Sequence, residues 1–191
     1  MSRVGRRATR ALSTALLLAG CQPGSEGALD PVSAPGVVEE KDEHVGPVAV
    51  VRAGPLTARV SGRWATERPQ SLTIAYRNTG SAPVSVPIGR IAFRHEAGGL
   101  GLAYANDLTD MDVNSTDPAR YMPRALVGGD GPDIGSVRIA PGETRTLAFE
   151  FAAPSPERPL EPGDLVTVHV PSPGQPVRVA FRCSSGSLWP F

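Results

Sequence analysis

Cysteine is scarce in this chain, which has only Cys21 and Cys183 among 191 residues. A framework of several disulfides, the usual support of small exported domains, is therefore excluded. Long apolar runs are also missing, because the run over residues 11–19 is too short to span a bilayer as a helix. Any folded part of the chain must be held together by packing.

Catalytic and metal-binding patterns are equally scarce. The sequence contains no G-x-S-x-G, and neither cysteine has a histidine nearby. His44, His95 and His169 stand far apart, whereas zinc or copper ligands commonly lie two to four residues apart. We expect His95 and His169 to be solvent-facing strand residues and Cys183 to be a half-buried structural thiol at a strand end. The sequence predicts neither an enzyme nor a bound cofactor.

The beginning of the chain has the layout of an export signal. Its basic part contains Arg3, Arg6, Arg7 and Arg10 and no acid. The apolar run 11–19 follows, and the stretch ends on Leu18-Ala19-Gly20-Cys21. These last four residues resemble the lipobox of bacterial lipoprotein signal peptides. The resemblance implies that residues 1–20 are removed and that Cys21 becomes the lipidated first residue, carrying palmitate-type acyl chains. The alternative is an ordinary secretory signal that happens to contain a cysteine.

The charge of the chain argues against nucleic-acid binding. Removing the four arginines of residues 1–20 from the 19 basic residues leaves 15, against 19 acidic ones. A net negative chain is a poor partner for phosphate backbones.

The lipobox resemblance implies that the protein lies in the cell envelope, attached to a membrane through Cys21. Retention in the inner membrane would need an aspartate after the cysteine. Gln22 stands there, which favours the outer membrane.

Residues 21–47 are rich in acids and prolines. The segment after the cysteine contains one basic residue, Lys41, against six acids. It has few large apolar side chains, so its burial would not offset the entropy lost on ordering. We therefore predict a lipidated cysteine followed by a flexible acidic linker, and a folded domain over residues 48–191.

The region 48–191 is patterned as strands. Apolar residues alternate with polar ones most clearly where Leu72, Ile74 and Tyr76 would share one face. Glycine and proline turns separate such stretches, and no segment favours a helix of three turns. The pattern predicts an all-β fold, an immunoglobulin-like antiparallel β-sandwich of about nine or ten strands.

Two stretches resemble a known group of domains. LTIAYRNTGSAPVSVP, residues 72–87, resembles the strand-turn-strand of bacterial immunoglobulin-like and CARDB-like domains, and APGETRTLAFEF, residues 140–151, is similar to a later hairpin of the same group. The resemblance implies adhesion, spacing or protein binding without a fixed active site.

A long insertion around residues 95–135 interrupts this pattern and contains the stretch NDLTDMDVNSTD. Its Asp110-x-Asp112-x-Asn114 spacing matches the first three ligand positions of an EF-hand loop. The match ends there, because Ser115 and Tyr121 stand where the glycine and the bidentate glutamate belong. The candidate calcium ligands are Asp110, Asp112, Asn114 and Asp117. The alternative is an ordinary polar loop.

The remaining unusual features are aromatic: Trp64 and the terminal residues 187–191. We interpret them as a plug for one end of the sandwich in preference to binding anchors.

Taken together, these features of the sequence predict a membrane-anchored, non-catalytic binding or accessory module with an envelope protein as partner. Two alternatives stay open: a loop-based inhibitor of an exported protease, and a calcium-dependent adhesion or glycan-binding domain.

Overall fold

The computed structural model describes residues 25–96, 98–112, 116–117, 122–127 and 135–185. These residues form an all-β fold of antiparallel strands without an α-helix, which confirms the predicted fold class. The strands are β1 (Glu26–Pro31), β2 (Val37–Asp42), β3 (Gly46–Ala53), β4 (Leu56–Ala65), β5 (Gln70–Asn78), β6 (Val84–Pro87), β7 (Ala92–His95), β8 (Gly98–Leu100), β9 (Leu102–Asp107), β10 (Arg124–Val127), β11 (Ser136–Ile139), β12 (Thr144–Phe151), β13 (Leu165–Val170) and β14 (Val177–Cys183). One 3₁₀ turn, Ile88–Arg90, follows β6.

The strands form two packed layers. The first sheet has the order β10-β9-β12-β5-β4 and continues from β4 into β3 and β2, whereas the second has the order β8-β7-β13-β14. Strands β6 and β11 pair separately. The predicted alternation is confirmed, because Leu72, Ile74 and Tyr76 of β5 are all buried. They share one core with residues of the second sheet such as Phe93 and Phe181.

Strand β1 belongs to both sheets. Its residues Glu26–Ala28 pair with β4, and its residues Leu29–Pro31 pair with β14. Ala28 and Leu29 are buried where the strand passes from one layer to the other. The prediction of a flexible linker over residues 21–47 is therefore wrong from Glu26 onward, because this segment closes one side of the sandwich.

The acidic residues that suggested a linker lie on an edge strand. Strand β2 is mostly exposed and pairs along its whole length with β3, which in turn pairs with β4. Charged side chains such as Glu39 and Glu40 are common on edge strands, where they oppose pairing with other chains. The folded domain thus begins near Glu26, about twenty residues before the predicted boundary at 48, and has more strands than the nine or ten predicted.

Strand directions define two ends of the sandwich. The N-terminal pole contains the start of β1 at Glu26, the turn 43–45 and the turn 66–69, because Glu26 pairs with Ala65 at the end of β4. The far pole contains the turns 54–55, 79–83 and 140–143 and the segment 171–176. The loop that follows β9 also leaves the sheet at the far pole, since Asp107 pairs with Leu147 and Arg124.

The turns of the far pole are joined by Asn78. Its buried amide nitrogen donates to the carbonyl oxygens of Ala82 and Ile139 at 2.8 and 3.1 Å, and its amide oxygen accepts from the Gly80 N–H at 2.9 Å. The Asn78 carbonyl also accepts from Gly142, which has the positive φ expected at this turn. One side chain therefore fixes two neighbouring turns.

A hydrogen bond connects the two layers at the same pole. The buried Tyr76 hydroxyl of the first sheet donates to the Pro171 carbonyl oxygen at 2.9 Å, just after β13 of the second. Burial raises the pKa of Tyr76 above its ordinary value, so the phenol stays protonated and can donate.

We expect Tyr76→Phe to lower the free energy of unfolding by about 1 kcal/mol, because the Pro171 carbonyl keeps its buried position without a donor. Urea unfolding of the two chains measures the difference. The matched control is Tyr104→Phe, since Tyr104 is half exposed. Equal stability of both variants would contradict a role for the interlayer bond.

Candidate binding site

The lipidation site itself lies outside the described residues. Cys21 and the signal residues 1–20 both precede the first described residue, Ser25. Within the part of the chain that the structure covers, no helix is long and apolar enough to cross a membrane. Attachment through Cys21 therefore stays a prediction.

The candidate calcium ligands that the structure describes are not gathered into a metal site. Asp110, Asp112 and Asp117 are described, whereas Asn114 lies outside the described residues. Nowhere in residues 25–96, 98–112, 116–117, 122–127 and 135–185 do three or more histidine, cysteine, aspartate or glutamate side chains form a group that could hold a metal ion. Calcium binding by these positions has no support from the described geometry and stays a prediction.

The first aspartate of the same stretch has a structural partner. The Asp107 carboxylate is buried and accepts hydrogen bonds from Arg145 Nε at 3.0 Å and from the Thr109 hydroxyl at 2.6 Å. Arg145 Nη2 lies 2.8 Å from Asp107 Oδ2, the same carboxylate oxygen that accepts from Nε. The Thr109 hydroxyl in turn accepts from the Thr146 N–H at 3.1 Å. Asp107 thus holds the start of the loop against β12 and is already fully engaged.

Cys183 is a structural residue at a strand end, as predicted, but it is fully buried, whereas the sequence predicted a half-buried thiol. It ends β14 with 1% of its surface exposed and is a free thiol. Burial, together with the nearby Asp164 carboxylate, raises the pKa of Cys183 to about 12. Its thiol therefore stays protonated near neutral pH, which is the opposite of an activated nucleophile.

The histidines have three different surroundings. His44 lies in the exposed turn after β2, where its backbone N–H donates to Asp42. His169 is half-buried, and its pKa is lowered by burial and by the guanidinium groups of Arg94 and Arg178. His95 is not simply solvent-facing as predicted, because its Nε2 lies 3.3 Å from Asp164 Oδ2 with 16% of the side chain exposed.

Beside His95 the structure has a cavity of about 390 Å³, which we call the glycine cavity. One wall consists of His95 at the end of β7 and residues 98–101, and the other is the segment that follows β12. Its lining residues are His95, Gly98, Gly99, Leu100, Gly101, Ala152, Ala153, Pro154, Ser155, Arg158 and Leu160. The volume falls within the usual range of small-molecule sites.

Sequence reasoning did not find this cavity. The nearby sequence feature that could have indicated the cavity is the stretch GGLG over residues 98–101, but such a stretch is equally typical of a tight connection between strands. The opposite wall comes from residues about fifty positions later in the chain. Only the return of β12 to the N-terminal pole brings the two segments together.

Two larger concave regions lie on the outer face of the first sheet. In one, Arg59 forms ion pairs with Glu40 and Asp42, so its guanidinium is neutralised by β2. The other lies under the turn 43–45 and is lined mainly by charged and small polar side chains. Neither combines an apolar floor with a polar group aimed at a ligand.

Trp64 is a core residue, as the plug interpretation predicts. It is 1% exposed, and its indole N–H donates to the Ser184 carbonyl oxygen at 2.9 Å. The terminal aromatic residues 187–191 lie outside the described residues. Trp64 is therefore not a surface anchor for a partner.

Comparison with known proteins adds no relative: no protein-family model, no curated protein and no solved structure matches this chain. The resemblance of residues 72–87 and 140–151 to CARDB-like domains stays a prediction.

Proposed function

We propose that this protein is a lipid-anchored, non-catalytic binding or accessory module of the bacterial cell envelope, with the outer membrane favoured. The observation that carries the proposal is the Leu18-Ala19-Gly20-Cys21 stretch after a basic and apolar leader. Acyl chains on Cys21 would supply about 0.8 kcal/mol for each buried methylene, so several chains together give a lasting attachment.

The position of β1 supports a defined orientation on the membrane. Cys21 precedes Glu26 by five residues, a span of about 17 Å even when fully extended. A lipid on Cys21 would hold the N-terminal pole, where Glu26 lies, close to the bilayer. The far pole would then face away from the membrane.

The far pole offers the kind of surface that binding modules use. Its turns are fixed to one another, since the Thr79 N–H donates to the Pro55 carbonyl at 3.0 Å and the Gly142 N–H donates to the Asn78 carbonyl at 2.9 Å. Loops on such a rigid scaffold lose little conformational entropy on binding. This favours an envelope protein as the partner.

The anchor is tested by comparing the wild-type chain with Cys21→Ser in bacterial membranes. We expect the wild-type chain to incorporate an alkyne-labelled palmitate and to pellet with membranes, and the variant to do neither. Cys183→Ser is the matched control, because Cys183 is buried and should leave the label unchanged. Label on the Cys21→Ser chain would contradict the proposed anchor.

The binding role needs a separate measurement. A photocrosslinking residue at Thr79, on the far pole, is compared with one at Arg68, on the N-terminal pole, in membrane-bound and Cys21→Ser chains. We expect a specific protein adduct from position 79 in the anchored chain alone. Adducts of equal yield from both positions, or none from either, would remove the far pole as a contact surface.

A further inference from the structure

We propose that the glycine cavity binds a small organic anion, a monocarboxylate with an aromatic or short aliphatic body. The proposal rests on described residues alone and goes beyond the anchored module, so it stands or falls independently of lipidation at Cys21. Three features carry it: space that glycines leave open, a cation without an acidic partner, and an apolar floor.

The space results from missing side chains between firmly placed walls. A Cβ added at Gly98 or Gly101 would meet no atom within 4 Å. The walls are nevertheless joined, because the Ala152 N–H donates to the Gly101 carbonyl oxygen at 2.8 Å. Behind them the rings of Phe93 and Phe151 pack with centroids 5.5 Å apart. The cavity is therefore preformed, which lowers the cost of binding.

The cavity carries a positive charge. Arg158 lines it and is exposed, and no carboxylate in the described part of the chain pairs with its guanidinium. Its backbone is fixed by the bond from the Arg158 N–H to the Ser155 carbonyl at 2.9 Å. Arg59 and Arg145, in contrast, are both neutralised by acids. A planar guanidinium without such a partner suits a carboxylate, which it can bind through two parallel hydrogen bonds.

The imidazole of His95 is held in place on the opposite wall. Its Nε2 lies 3.3 Å from Asp164 Oδ2, and the same carboxylate oxygen accepts from the Glu161 N–H at 2.9 Å. The Glu161 N–H thus holds the Asp164 carboxylate in place, and the contact with this carboxylate fixes the Nε2 side of the His95 imidazole. The ring is thereby a fixed polar group within a largely apolar site.

The apolar floor of the cavity determines the chemistry of the part of the ligand that does not contact Arg158. Leu160 and Pro154 are buried, and Leu100 is half-buried against the core. Ala152 and Ala153 complete this side of the lining. A ligand that contacts both the floor and Arg158 needs an apolar body next to one anionic group. Highly charged ligands such as nucleotides would leave that floor in contact with water or with charge.

The test uses the full chain in detergent and follows 4-(trifluoromethyl)benzoate by fluorine NMR, with 4-(trifluoromethyl)benzyl alcohol as the neutral probe. We expect saturable binding of the benzoate and weaker binding of the alcohol. Arg158→Gln should weaken benzoate binding by about tenfold, the loss expected for one charge-assisted interaction. Arg124→Gln is the matched control, because Arg124 is also exposed but lies on β10.

Gly101→Leu is the second variant, and it should abolish saturable binding by filling the cavity. We expect the fold to accept the substitution, because a Cβ at Gly101 would meet no atom within 4 Å and Gly101 does not have a positive φ. Gly174→Leu is the matched control on the far pole, where an added Cβ also meets nothing within 4 Å, and it should bind as the wild-type chain does. Absence of binding to the wild-type chain, unchanged binding to Gly101→Leu with an unchanged melting temperature, or equal affinity for the alcohol would each overturn the proposal.

Discussion

Gly27→Ala is expected to lower the free energy of unfolding by about 3 kcal/mol, the upper end for an overpacked site. A Cβ at position 27 would lie 1.9 Å from the Ser184 carbonyl oxygen and 2.8 Å from Trp64 Nε1. These are the two partners of the indole hydrogen bond that closes the N-terminal pole. The added methyl group must push apart a buried tryptophan and a backbone segment, and neither can move without loosening β1.

Urea unfolding monitored by circular dichroism measures this loss, and the melting temperature should fall by roughly 6–12 °C. Gly174→Ala is the matched control, since a Cβ there meets nothing within 4 Å. It should keep the wild-type stability or raise it slightly, because alanine narrows the unfolded ensemble. If Gly27→Ala proves as stable as Gly174→Ala, the close contact between β1 and Trp64 is not a determinant of the fold.

The second large effect is expected at the pair formed by Asp107 and Arg145. Removing the guanidinium with Arg145→Met leaves the Asp107 carboxylate, whose side chain is 6% exposed, buried without its cation. Breaking one side of a buried pair costs about 3 kcal/mol or more. The loss should also free the start of the loop after β9, because Thr109 is bonded both to Asp107 and to the Thr146 N–H.

A double-mutant cycle separates the pair from its surroundings. Asp107→Leu combined with Arg145→Met should recover part of the stability that Arg145→Met loses, since no uncompensated charge remains buried. Arg124→Met controls for the loss of a positive charge on a neighbouring strand. Additive losses in the double variant would show that the two side chains act independently, in contradiction to the observed geometry.

Strands of the two layers could be predicted from the sequence where the strand buries one face in the core and exposes the other to solvent. Leu72, Ile74 and Tyr76 alternate with polar residues because β5 has a core face and a solvent face. Strand β1 shows no such alternation: Gly27, Ala28 and Leu29 are buried in succession as the strand passes between layers. A period-two search cannot detect a strand of that kind, and the acidic composition of β2 then favours a linker in its place.

The site was less accessible to sequence reasoning than the fold. The aspartate spacing around Asp110 and Asp112 suggested a calcium loop, whereas the charge of Asp107 is balanced by Arg145, which lies 38 residues away in sequence. The glycine cavity likewise depends on His95 and Arg158, which the fold brings to opposite walls. Local spacing carries no information about which distant strand supplies a counterion or a wall.

The double pairing of β1 also determines how the domain would respond to force. A pull on a lipid at Cys21 would act along the axis of β1, whose backbone is hydrogen-bonded to β4 over its first half and to β14 over its second. In this shear geometry the interstrand bonds carry the load together, whereas an edge strand such as β2 would peel away one bond at a time. A protein fixed to the membrane at one pole and to a partner at the other would thus transmit tension through a strand that is hydrogen-bonded to both sheets.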